Sequence, residues 1–150
     1  MKIIEYFEDS RKEHWKKELA TADWRAAIYL LGLLEDTAKF NEYLGEGGKL
    51  FLLVDGEQIV SFATLSPKDC IPDESLFPWI GFVYTYPVYR GHRYSEKVIR
   101  YAEKQARKDG HAKIYIATDH TNLYEKYGFT YMDTRVDCWN EESKVYYKDL

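Results

Sequence analysis

The chain has 150 residues, and an apolar share of 45% is enough to fill the core of one domain and too much for wholesale disorder. Lys and Arg number 21 against 25 Asp and Glu, and the resulting charge of −4 argues against the basic surface of a general nucleic-acid binder. The longest strongly apolar run, Ile28 to Leu34, falls far short of the roughly 20 residues that a bilayer span requires.

The opening stretch turns acidic and basic too soon for a signal peptide. Cys70 and Cys138 lie far apart in sequence with no CxxC and no clustered His, so they read as two reduced thiols in a cytoplasmic protein, with no zinc site and no disulfide framework. One property is unusual: 14 Tyr, 7 Phe and 4 Trp make up 17% of the residues.

Ile3 to Phe7 reads as a first strand, and Asp9-Ser10 as the cap of an exposed helix. From Thr21 onward, Trp24, Ala27, Ile28, Leu31, Leu34 and Ala38 recur at three- and four-residue spacing, one face of a single helix that the glycines at 45, 47 and 48 end. Leu50 to Val54 and Gln58 to Leu65 form a hairpin around Asp55-Gly56. Residues 66–78 are a polar, proline-bearing loop, and Trp79 to Tyr86 is a buried strand stopped by Pro87. An amphipathic helix follows from Ser95 to Lys108, then a strand at Lys113 to Ala117 and a short helix from Thr121 to Lys126. Two last strands, Phe129 to Trp139 and Lys144 to Leu150, complete one mixed α/β domain over residues 1–150.

Two junctions carry chemistry. In Phe82 to Ser95 a buried strand feeds a short turn holding Gly91, and a helix starts at once. Such a turn aims free backbone N–H groups and the positive end of a helix dipole at one point, which suits a phosphate or pyrophosphate, with Arg90 and Arg93 beside it. A plain strand-to-helix turn with two solvated arginines is the competing reading. In Thr118 to Thr130 a short helix ends at Gly128, and Tyr124 sits one turn earlier. A tyrosine is protonated at neutral pH and can act as a general acid, although a core tyrosine bonded to backbone is the commoner fate.

Together these junctions resemble the GNAT superfamily of acyl-CoA-dependent N-acetyltransferases. The likeness is most specific at Pro87-Val-Tyr-Arg-Gly91 and at Leu123-Tyr-Glu-Lys-Tyr-Gly-Phe129. It implies a mixed, mostly antiparallel sheet of six or seven strands flanked by four helices. The family loop reads Arg/Gln-x-x-Gly-x-Gly/Ala, whereas this chain has Arg93 and Ser95 at the two small positions. Glycine permits the closest backbone approach to a diphosphate, so Arg93 must turn its side chain away.

The resemblance implies acetyl-CoA as cosubstrate, bonded along the strand at Val83, Tyr84 and Thr85 and held at its diphosphate by Arg90, Gly91, His92, Arg93, Tyr94 and Ser95. Relatives carry an Asn seven residues before the tyrosine; here that place is Ala117, which leaves Asn122 as the stand-in. An amine attacks the thioester directly, and Tyr124 protonates the departing thiolate. The strand from Trp79 to Phe82 lacks the glutamate base of many relatives, so His120 and Asp119 become the candidates, with Asp73 and Glu74 as outsiders and a water chain as the alternative. The acceptor walls implied are Trp24, Tyr29, Phe77 and Trp79, with Asp69, Asp73 and Glu74 nearby, a combination that suits a small cationic amine. No metal, nucleic acid or membrane is expected, and relatives commonly form homodimers. A non-catalytic acyl-CoA-binding module and a cofactor-free interaction domain are the rival classes.

Overall fold

The five consecutive apolar residues Leu50 to Val54 can be buried together only if both faces of their strand are covered, and that requirement organises the domain. In the computed structural model, which describes residues 1–150, β2 (Lys49–Asp55) and β3 (Gln58–Ser66) lie inside a seven-stranded sheet. Leu50, Leu52 and Val54 face one layer with Phe62, Trp15 and Leu30, while Phe51 and Leu53 face the other with Val98, Ile99 and Ala102. Each such fully buried side chain contributes about 1.5–3 kcal/mol.

The sheet order is β1-β2-β3-β4-β5-β7-β6, with β1 at Lys2–Glu5, β4 at Trp79–Thr85, β5 at Lys113–Thr118, β6 at Thr130–Val136 and β7 at Glu142–Asp149. Only β4 and β5 run parallel. The expected mixed, mostly antiparallel sheet is therefore what forms. Helices α1 (Lys12–Leu19), α2 (Arg25–Leu34) and α3 (Thr37–Leu44) precede β2, and α4 (Tyr94–Lys108) covers the opposite face. The single helix expected from Thr21 to Gly45 is thus two. Asp36 separates them by accepting the Lys39 N–H at 3.3 Å, an N-cap that starts a new helix where the apolar spacing alone ran on.

One irregularity positions everything that follows. β4 pairs with β5 only at Trp79↔Tyr115 and Ile80↔Ile116, so the two strands part from Gly81 onward. On its other edge β4 slips register against β3 between Thr64↔Gly81 and Phe62↔Tyr84. The bulge puts Phe82 at φ 49°, a left-handed backbone costing about 1–2 kcal/mol for a residue with a side chain.

Candidate active site

The strand β4, the turn after it and the start of α4 enclose an open cleft of about 630 Å³. Pro87–Tyr89 form one 3-10 turn, and then Gly91 (φ 89°) and Arg93 (φ 57°) take left-handed backbones that swing the chain into α4. No side chain caps the helix, so its first N–H groups and its dipole stay available to an anion. Arg93 resolves the expected conflict by adopting a glycine-like backbone. Its Nε donates to Glu96 Oε1 at 2.6 Å, and its guanidinium lies 5.3 Å from the Tyr127 ring centre. Arg90 reaches back to the strand, where Nε donates to the Thr85 carbonyl at 2.9 Å and the guanidinium lies over Tyr84. Trp24 also stacks on Tyr84, at 5.3 Å and 11°.

Across the cleft stands Tyr124, on the 3-10 helix Tyr124–Tyr127 that Gly128 ends at φ 92°. Its ring packs with Tyr127, Phe129 and Tyr146 in the core beneath α4. Burial, with smaller contributions from Tyr127 and Asp119, pushes its hydroxyl well above the usual tyrosine range, so it stays protonated. Two contacts hold this short helix in place. Tyr127 Oη shares a 3.0 Å hydrogen bond with Ser95 of α4, and Lys148 donates to the Tyr127 carbonyl at 3.0 Å while pairing with buried Glu103 at 2.8 Å.

The opposite face of the parting strands holds a residue that the sequence offered only as an acidic neighbour. Asp69, in the loop after β3, lays its carboxylate over Gly81, with Oδ2 where a Cβ on that glycine would stand. Oδ1 accepts the Cys70 N–H at 2.7 Å. Burial raises its pKa from 3.8 to about 7, against the lowering effect of the Cys70 backbone and thiol. Thr64 is fully buried, and its hydroxyl, facing the same point, has no partner. Around them stands an aromatic cluster. Tyr43 lies edge-on to Tyr29 at 5.2 Å and to Phe82 at 6.2 Å, and Trp139 lies 5.2 Å from Tyr29. The Cys138 N–H donates to the Cys70 carbonyl at 2.7 Å, so the cysteines that look remote in sequence are neighbours here, both as free thiols.

The expected site residues divide clearly. Val83, Tyr84, Thr85, Arg90, Gly91, Arg93, Tyr94, Ser95, His120 and Tyr124 line the cleft together, with Trp24 at its end. His92 and Asn122 are exposed and lie outside that lining; the His92 ring lies tilted against Tyr94 at 5.4 Å. Asp119 is also exposed and outside it. Trp79 is core: its indole donates to the Leu76 carbonyl at 2.7 Å and the ring packs on Tyr115, because its side chain turns inward before the strand bulges. Phe77 packs on His111, just beyond the far end of α4, a helix length of roughly 22 Å from the loop. Asp73 is tied to Ser75 and Arg135, which hold its pKa near 2. Nothing in the sequence marks Tyr43, Phe82 and Trp139 as acceptor-side residues, and the one signal that ties Asp69 to the strand is a glycine within it, which marks a close approach.

The chain matches the acetyltransferase (GNAT) family over residues 5–129. No curated protein matches it. Among solved structures, an aminoglycoside 6'-N-acetyltransferase complexed with coenzyme A shares 15% identity, with 99% of this chain and 97% of that one covered at a TM-score of 0.69. The aminoglycoside 6'-N-acetyltransferase of Enterococcus faecium shares 18%, covering 99% and 97% at 0.67. A GNAT family acetyltransferase from Elizabethkingia anophelis with acetyl-CoA bound shares 18%, covering 79% and 87% at 0.58.

Proposed function

Because the chain belongs to the acetyltransferase (GNAT) family, we propose that it transfers an acetyl group from acetyl-CoA to a primary amine of a small molecule. The observation that carries this reading is the parting of β4 from β5 at Gly81, between the uncapped start of α4 and buried Tyr124. A strand edge without a partner offers backbone groups to an amide-bearing arm, and the helix start suits a diphosphate. The residues therefore fit acetyl-CoA, which supplies an activated thioester when bound.

Each element then has a task. The edge of Val83 to Thr85 holds the arm, and α4 with Arg90 and Arg93 faces the diphosphate. Backbone N–H groups at the Phe82 bulge are placed to donate to negative charge developing on the acyl oxygen. Tyr124 gives its proton to the departing sulfur. A small acceptor is favoured by the partly exposed aromatic cluster beside Asp69 and by neighbours that act on aminoglycosides. No helix is long and apolar enough to cross a membrane; separately, the use of acetyl-CoA is the ground on which we propose a cytoplasmic location.

Titration calorimetry with acetyl-CoA, followed by thiol release across a panel of amines, tests the reading. Binding with amine-dependent thiol release supports it. Binding with no turnover on any amine replaces it with the non-catalytic module, and no binding at millimolar coenzyme overturns both.

A further inference from the structure

We propose that the acceptor nitrogen docks on Asp69, whose carboxylate fills the notch at Gly81 beside Thr64, and that Asp69 takes its proton. The inference rests on the acetyltransferase reading and adds the residue that β4 itself lacks. Three observations converge. The strand carries no acid between Trp79 and Thr85, yet the loop lowers a carboxylate into the space that the missing Gly81 side chain leaves. The notch sits at the residue where β4 leaves β5, one position before the bulge. Thr64, wholly buried, turns an unpartnered hydroxyl to the same point, an orphaned polar group of the kind a native fold rarely leaves without a purpose.

The two faces of the sheet divide the proton traffic. Tyr124 packs with α4 on the face that carries the cleft. Asp69 approaches from the other face, beside Tyr43 of α3. His120 lines the coenzyme cleft, which leaves the acceptor side to Asp69. The titratable groups facing the carboxylate are Tyr43 from α3, Cys70 in its own loop and Cys138 from the turn between β6 and β7, with Asp137 beside the two thiols. Burial raises Tyr43 and both cysteines, so all three are neutral at physiological pH, and among them only Cys70, through its backbone and thiol hydrogen bonds, favours a charge on Asp69.

The step balances. An acceptor arriving as an ammonium gives one proton to the Asp69 carboxylate, and its freed electron pair forms the C–N bond at the thioester carbon. The C–S bond breaks, its electrons pass to sulfur, and Tyr124 protonates the thiolate. The second proton lost by nitrogen restores Tyr124, and Asp69 returns its own to solvent. The products are one amide, one thiol and one proton.

The test is Asp69→Asn, measured with the best primary alkylamine of the panel. Turnover should fall by about 10²-fold or more, and kcat/KM should lose a rising limb near pH 7 while acetyl-CoA affinity stays within twofold. Carboxyl carbon NMR of the wild type should show one aspartate titrating near 7 that the variant lacks. A variant that keeps the limb, or an Asp69 that titrates in the ordinary carboxylate range, overturns the assignment while leaving the acetyltransferase intact. A wild type that fails to bind acetyl-CoA overturns the parent reading and the assignment with it.

Discussion

Asp69 stands where Gly81 has no side chain. A Cβ at position 81 would collide with Asp69 Oδ2 and come within 3.1 Å of Thr64 Oγ1, so the glycine is required for the carboxylate to reach the strand. Gly81→Ala therefore removes the proposed proton acceptor without touching it. We expect turnover to fall at least tenfold and acetyl-CoA affinity to hold, because the methyl points away from the α4 face. Steady-state rates beside a calorimetric Kd check this, and an undiminished turnover would mean that Asp69 is not needed where it lies.

Tyr124 carries the second prediction. Removing only its hydroxyl in Tyr124→Phe keeps the ring among Tyr127, Phe129 and Tyr146, so the fold should be unchanged. Turnover is expected to drop by about 10²-fold, the usual worth of a placed general acid. Because burial moves this hydroxyl upward, the wild-type rate should not decline through loss of the acid until well above pH 10. A pH–rate profile of both proteins reads the two points at once.

The parts legible in the sequence are those built from neighbours in the chain. The hairpin at Asp55-Gly56 and the turn into α4 use contacts a few residues apart, and each forms where its residues predict, whereas the short helix expected from Thr121 to Lys126 is only the 3-10 turn Tyr124–Tyr127 before Gly128. What escaped depends on pairing across the sheet. That Phe82 faces the acceptor side is decided by a bulge that β3 imposes on β4. Asp69 acquires meaning only when its loop folds onto a glycine 12 positions away. The tyrosine excess is mostly scaffold: Tyr6 and Tyr146 are fully buried, and Tyr86 donates to the Glu18 carbonyl.

The loop at α4 gives a prediction about charge. Glu96 accepts from Arg93 at 2.6 Å and from Arg100 at 2.9 Å, drawing both cations toward itself and away from the diphosphate position. Glu96→Gln should free Arg93 and remove a negative charge beside the phosphates. Acetyl-CoA should then bind about two- to fivefold more tightly, the scale of an exposed ion pair. Arg93→Ala should weaken binding by a similar factor, and both differences should shrink in high salt. Calorimetry at two ionic strengths distinguishes this from Arg93 being a spectator, for which neither variant would differ from wild type.

The raised Asp69 pKa also makes a prediction that needs no substrate. Its folded-state value of about 7 lies above the 3.8 of an unperturbed aspartate, so the native state holds this proton where the unfolded chain has released it. Stability then falls as pH rises from about 4 to about 7, the reverse of an acid held by a salt bridge. A shift of this size at about 1.4 kcal/mol per pH unit sets a ceiling near 4 kcal/mol, and partial solvent access to the residue lowers it. Asparagine has a similar shape, can still accept the Cys70 N–H, and carries no charge to bury. At pH 8 the Asp69→Asn protein should therefore be more stable than wild type by about 1–4 kcal/mol, a rise of several degrees in Tm for a chain of this length. At pH 3.5 the two should unfold together. Equal stability at both pH values would show that the Asp69 carboxylate is solvated, whereas convergence only at low pH would show that a buried base is held at the expense of the fold.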